Sequence, residues 1–160
     1  MNFIKDHPIA VEYATQSGKL IQNFGVIELT SYRWIGFLSK CEIAVEIARE
    51  VPLAKRIDII VKLLGHGDHK LVKKDEALRL WKQVRDKGCE VRNAIAHGTV
   101  GLFFRGNPAS EEPQSSGVLR LKKWSDVDEL ISLAEVKDAV NTTAQIAEQL
   151  NQILDAEAAE

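Results

Sequence analysis

An arginine, an asparagine and a histidine stand close together in the segment Cys89-Glu90-Val91-Arg92-Asn93-Ala94-Ile95-Ala96-His97-Gly98. On an ideal helix, at about 100° per residue, Val84, Val91 and Ile95 fall on one stripe. Asn93 and His97, four residues apart, share a face roughly opposite that stripe, with Arg92 on its flank. The pattern predicts a helix that packs through its aliphatic residues and turns a cation, an amide and an imidazole away from its own core. Those groups suit phosphodiester chemistry in RNA. Histidine titrates near neutral pH and can take or give the proton of a ribose hydroxyl or a leaving oxygen. Arginine stays charged and grips two phosphate oxygens as negative charge develops on them. Asparagine can orient either the histidine or the phosphate. The predicted helix ends at His97, before Gly98, and a helix C-terminus favours the imidazolium form.

The same residues admit a structural alternative, in which Arg92 pairs with an acid and His97 caps helix carbonyls. Glu28 bears on this choice. It lies on an otherwise apolar stretch from Val26 to Leu38 and needs a partner if buried. Arg92 is one candidate for that partner, and exposure of Glu28 at the surface is the other outcome.

The elements around the motif read as mostly helical. Residues 8 to 39 carry Ile9, Tyr13, Leu20, Ile21 and Phe24, then Val26, Ile27, Leu29, Tyr32, Ile35, Phe37 and Leu38. The latter cover most of a helix circumference and predict burial by other helices or by a second copy. Gly18 and Gly25 interrupt and favour close packing or a bend. A short helix around Ile43 to Ala48 stops before Pro52, and another runs from about 52 to 64. Residues 71 to 87 are strongly helical, Gly88 interrupts, and 89 to 97 resume. The stretches 99 to 105 and 117 to 124 look extended around a polar loop, which predicts a two-stranded hairpin laid on the helical core. Ser132-x-x-Glu135 is a capping box for the last helix. Its apolar positions Leu133, Val136, Val140, Thr143, Ala147, Leu150 and Leu154 alternate spacings of three and four. The expectation is one all-α domain over 1–160: helical core about 8–98, hairpin insertion about 99–124, C-terminal helices about 126–155.

Bulk properties fit a globular protein. The chain has 160 residues, 45% hydrophobic and 28% charged, enough for a single core. Net charge is -2, which argues against a general nucleic-acid coat. The charges are unevenly distributed, however. From Lys55 to Arg92 there are eleven Lys or Arg against six Asp or Glu, and from Ser125 to Glu160 one Lys against nine acids. Lys73, Lys74, Lys82 and Arg85 are candidates to track an RNA backbone, against the plainer reading of a solvated helix face. Cys41 and Cys89 are too few for a disulfide framework. No apolar run reaches the ~20 residues of a membrane span, and the N-terminus lacks the pattern of a signal peptide. These features predict a cytoplasmic protein. His66 and His69 in a glycine-rich loop are too sparse for a metal site, and neither a metal nor a cofactor is expected.

Arg92-Asn93-x3-His97-Gly98 resembles the motif of HEPN domains (higher eukaryotes and prokaryotes nucleotide-binding), in which four to six residues separate an arginine from a histidine. The resemblance implies an up-and-down helical bundle with the motif late in the core, here extended by the hairpin insertion. It implies a homodimer that brings two motifs into one cleft, and metal-independent attack of the ribose 2′-hydroxyl that leaves a cyclic phosphate. On that analogy Arg92 binds phosphate, His97 is the acid–base group and Asn93 orients. Many members act as toxins or defence effectors, which implies an antitoxin or nucleotidyltransferase partner. In one toxin branch the nucleotidyltransferase modifies a tyrosine two residues after the histidine. Thr99 stands there in this chain, which argues against that control. Two alternatives remain: a non-catalytic HEPN module that binds a nucleotide or protein, and a purely structural helical dimer.

Overall fold

The computed structural model describes residues 8–66, 71–97, 99–103, 115–123 and 126–159. The chain is predominantly helical. Its elements run α1 (Pro8–Ser39), α2 (Glu42–Arg49), α3 (Leu53–His66), α4 (Lys74–Gln83), a π-helical turn (Val84–Gly88), α5 (Cys89–His97), β1 (Thr99–Phe103), β2 (Ser115–Lys123), β3 (Asp126–Ser132) and α6 (Leu133–Ala158). No helix among the described residues is long and apolar enough to cross a membrane.

Helix α1 is unbroken, although Gly18 and Gly25 each weaken a helix by about 1 kcal/mol relative to alanine. Both are exposed, and a Cβ added at either would meet nothing within 4 Å. Close packing therefore does not explain them. A turn through Lys40, whose φ is +49°, leads into α2.

Two compact units can be distinguished. One draws on the chain up to Gln22 and on Glu90–Asn141; the other comprises Asn23–Cys89 and Thr142–Glu160. The second holds an aromatic core. Trp34 and Trp81 are both fully buried and meet edge to face, with ring centroids 6.3 Å apart. The Trp34 indole N–H donates to the Leu150 carbonyl at 3.2 Å, which satisfies its one polar atom. Thr30, on α1, accepts from the Asn151 amide at 3.0 Å, and Arg33 donates to the Asn151 carbonyl oxygen at 2.7 Å. These bonds fix the register of α6 against α1.

In the first unit, Tyr13, Leu20, Val136 and Val140 are buried, and Lys137 pairs with Glu12 at 2.5 Å. The strands form one antiparallel sheet in the order β1-β2-β3. Thr99 lies opposite Leu119 and Phe103 opposite Ser115. The third strand corrects the sequence reading. Residues 126 to 132 are not the start of the C-terminal helices but a strand paired with β2, with Val118 opposite Ile131 and Leu119 opposite Leu130. The loop tip at 104–114 and Trp124 lie outside the described residues.

Helix α6 begins where the capping box predicts. The Glu135 N–H donates to the Ser132 hydroxyl oxygen at 3.2 Å, and the Ser132 N–H donates to the Glu135 carboxylate at 2.7 Å. Two donors that the first turn leaves without helical partners are thereby satisfied reciprocally. Of the seam read from the sequence, Val136, Val140, Thr143, Ala147, Leu150 and Leu154 are buried. Leu133 is half-buried.

Candidate functional site

Helix α4 and the π turn form one rod, and α5, the motif helix, follows directly in the chain. The Cys89 N–H reaches back five residues to the Val84 carbonyl instead of the usual four. Gly88 lies in this widened turn. It is buried, and a Cβ built on it would lie 3.1 Å from Phe24 Cζ and 3.6 Å from Thr143 Cγ2. Thr143 is itself held by Asn23, whose amide donates to its hydroxyl at 3.1 Å. At this crossing α1, α6 and the π turn pack closely enough that a side chain at position 88 would press on Phe24.

The π turn also alters the geometry expected from an ideal helix. One extra residue in a turn rotates everything after it by about 100°. The stripe drawn through Val84, Val91 and Ile95 assumes an unbroken α repeat, which the turn at Val84–Gly88 interrupts. Val84 is fully buried, whereas Val91 and Ile95 are half-buried.

Within α5 the local relations are undisturbed. Asn93 is exposed, Arg92 is half-buried, and the Arg92 guanidinium donates through Nη1 to the Asn93 side-chain oxygen at 3.1 Å. Arg92 has no acidic partner among the described side chains. His97 closes α5 one turn beyond Asn93. Its imidazole, like the side chains of Lys87, Glu90 and Ala94, lies outside the described residues. What the described part presents is a guanidinium with remaining N–H donors, steadied by a neutral amide that leaves its positive charge intact. Such a group can bind a phosphate through several N–H bonds.

Glu28 is half-buried and its ion partner is Arg56, with Nη2 and Oε2 3.7 Å apart. Arg56 is the buried cation that sequence reasoning missed. Its side chain is 4% exposed and lies over the Tyr32 ring at 4.3 Å, which supplies cation–π attraction in place of water. The one signal for it was Glu28, an acid on an apolar helix that called for a buried cation.

The four basic candidates divide. Arg85 is engaged with Asp58, Nε to Oδ1 at 2.6 Å and Nη2 to Oδ2 at 3.4 Å. Lys73 lies 3.9 Å from Glu76, and its backbone N–H donates to Glu157 at 3.1 Å. Lys74 is half-buried at the start of α4, and Lys82 is exposed. Cys41 is free and exposed, and Cys89 is free and half-buried. His69 lies outside the described residues. No group of three or more His, Cys, Asp or Glu able to hold a metal assembles among the described residues.

Compared with known proteins, the chain matches no protein-family model, no curated protein and no solved structure.

Proposed function

We propose that this chain is a HEPN-like helical bundle acting as a metal-independent endoribonuclease, with Arg92, Asn93 and His97 as its working residues. The observation that carries the reading is the Arg92 guanidinium. It bonds to the neutral Asn93 amide at 3.1 Å, lacks an acidic partner among the described side chains, and sits little more than one turn before His97 on the same helix. A purely structural arginine of this kind more often neutralises a carboxylate.

In the proposed reaction the ribose 2′-oxygen forms a bond to phosphorus, and the bond from phosphorus to the 5′-oxygen breaks. An imidazole takes the 2′-hydroxyl proton, and the leaving 5′-oxygen receives a proton, which leaves a 2′,3′-cyclic phosphate. Arg92 stabilises the charge that builds on the non-bridging oxygens, and Asn93 holds the guanidinium in position. One chain carries one histidine of this motif. A homodimer with two motifs in one cleft supplies a second imidazole for the opposite proton transfer, and this is the assembly proposed. A role as a cytoplasmic toxin or defence effector, held in check by an antitoxin, follows from the same resemblance.

The test is cleavage of a mixed RNA by purified protein in the presence of a chelator. His97→Ala is expected to lower the rate by about 10²–10⁴-fold, the usual worth of a general acid–base group, and Arg92→Ala to lower it comparably. RNA or nucleotide binding without cleavage, weakened by Arg92→Ala, would favour the non-catalytic module instead. Variants that lose only thermal stability would favour the structural dimer.

A further inference from the structure

The acids between Lys55 and Arg92 are not spread evenly among the bases, and the pairing decides which cations remain available. Arg85 and Asp58 neutralise each other through two nitrogen–oxygen contacts, which joins the end of the α4 rod to α3. Asp86 also leans on Arg85, at 3.9 Å, and Glu76 on Lys73. Lys55, Lys62 and Lys82 are exposed and have no acidic partner among the described side chains.

These three lysines surround the Asp58–Arg85 bridge. Lys55 and Lys62 lie three residues before and four after Asp58, on the same face of α3. Lys82 lies three residues before Arg85, on the same side of the α4 rod. Because the bridge joins those two faces, the lysines border one surface. Seven residues of helix separate Lys55 from Lys62 by about 10 Å, and packed helices stand about 8–10 Å apart. Their helix positions thus lie about 10 Å apart, no closer than the Debye length of about 8 Å at physiological salt, so each lysine meets a phosphate as a separate charge.

We infer that this surface of α3 and α4 carries the sugar-phosphate backbone of single-stranded RNA, independently of base sequence; the inference rests on the ribonuclease reading above. Lysines are hydrated point charges on flexible stems. They suit phosphates, and they read no bases. Arg85, named as a contact from sequence, is instead the strut that sets the spacing. Lys55 and Lys62, which the sequence did not single out, take its place.

The experiment uses the His97→Ala protein, which would hold RNA without consuming it, and a fluorescein-labelled 20-nucleotide RNA titrated over a range of salt concentrations. Replacing Lys55, Lys62 and Lys82 together by alanine is expected to flatten the slope of log K against log salt by about 2, at about 0.7 per phosphate contact on a single strand. Affinity at low salt should fall more than tenfold. Lys19→Ala with Lys40→Ala removes two exposed lysines elsewhere and should leave the slope unchanged. An unchanged slope in the triple variant, or an equal change in the control, would overturn the inference. So would displacement of the RNA by polyglutamate of equal charge as readily as by unlabelled RNA. Cleavage of a dinucleotide, too short to span the lysines, separates the two readings. The triple substitution made in the otherwise native protein should leave it intact, and loss there would show a folding defect and overturn the track. If native protein fails to cleave the dinucleotide while RNA binding keeps its lysine dependence, the catalytic reading falls and the track stands.

Discussion

Replacing Gly88 by alanine adds one methyl group, and the sign of its effect can be worked out from the crossing at the π turn. In an ordinary helix interior the change stabilises by about 1 kcal/mol, because alanine restricts the unfolded chain more than glycine does. At position 88 the new methyl would sit 3.1 Å from Phe24 Cζ, about half an ångström inside the carbon–carbon optimum of ~3.5–4.0 Å. Phe24 is 2% exposed and Thr143 also 2%, so neither can swing into solvent to make room. Overpacking of this kind costs about 1–3 kcal/mol. The clash exceeds the propensity gain, and a net loss of about 1 kcal/mol is expected.

Gly18→Ala and Gly25→Ala serve as internal references. Their methyl groups would meet nothing within 4 Å, so only the propensity term remains and both should stabilise by up to about 1 kcal/mol. Urea unfolding followed by circular dichroism reads the three variants. On heating, 1 kcal/mol corresponds to a shift of about 2–4 °C for a chain of this size. Gly88→Ala should melt lower than the parent, and the other two higher. If all three shift in the same direction, the close approach at Gly88 does not decide the local energetics, and the argument fails.

Two further predictions concern titrating groups in the first unit. The hydrogen bonds from the Ser132 backbone and hydroxyl hold the Glu135 carboxyl below its usual range. Its contribution to stability is therefore present above the unfolded value and is lost as pH falls through the lower, folded one. Ser132→Ala should cost about 1 kcal/mol at pH 7, and its deficit should shrink in acid. A deficit that does not change with pH would show that the carboxylate takes no part in the cap. The Tyr13 hydroxyl is buried and has no hydrogen-bond partner among the described residues. Burial, then the nearby Glu135 charge, push its pKa up to about 12. The folded state thus keeps a proton that the unfolded chain releases near pH 10, and stability drains away as pH rises from 10 toward 12. Tyr13→Phe removes a hydroxyl that makes no bond, so it should cost little at pH 7. Above pH 10 it should become the more stable protein, and parallel stability curves for the two would count against this account.

What could be read from the sequence, and what could not, follows the range of the interactions involved. The capping box needs only four consecutive residues, and the hydrogen bonds between Ser132 and Glu135 are the ones those residue types predict. The buried seam of α6 is likewise a matter of spacing along one helix. Strand β3 was misread because Asp126, Asp128 and Glu129 suit the first turn of a helix better than a strand. Its conformation is set instead by pairing with β2, a contact made across the sheet. Arg56 was missed because charged residues are rarely buried, and what holds it, Glu28 and Tyr32, lies on another helix.

The candidate site divides along the same line. That Arg92 and Asn93 share one short helix is local, and so legible; that they bond is not, since adjacent helix positions do not face each other. Which way they face is not local. The sequence reading extended a face from Val84 to Ile95 on an ideal repeat, and the π turn breaks that repeat between them. No periodicity announces the turn. Within it Gly88 lets Phe24 and Thr143 approach the backbone, and those residues come from opposite ends of the chain. Four residues before Arg92 the sequence shows a glycine, but not the neighbours that crowd it.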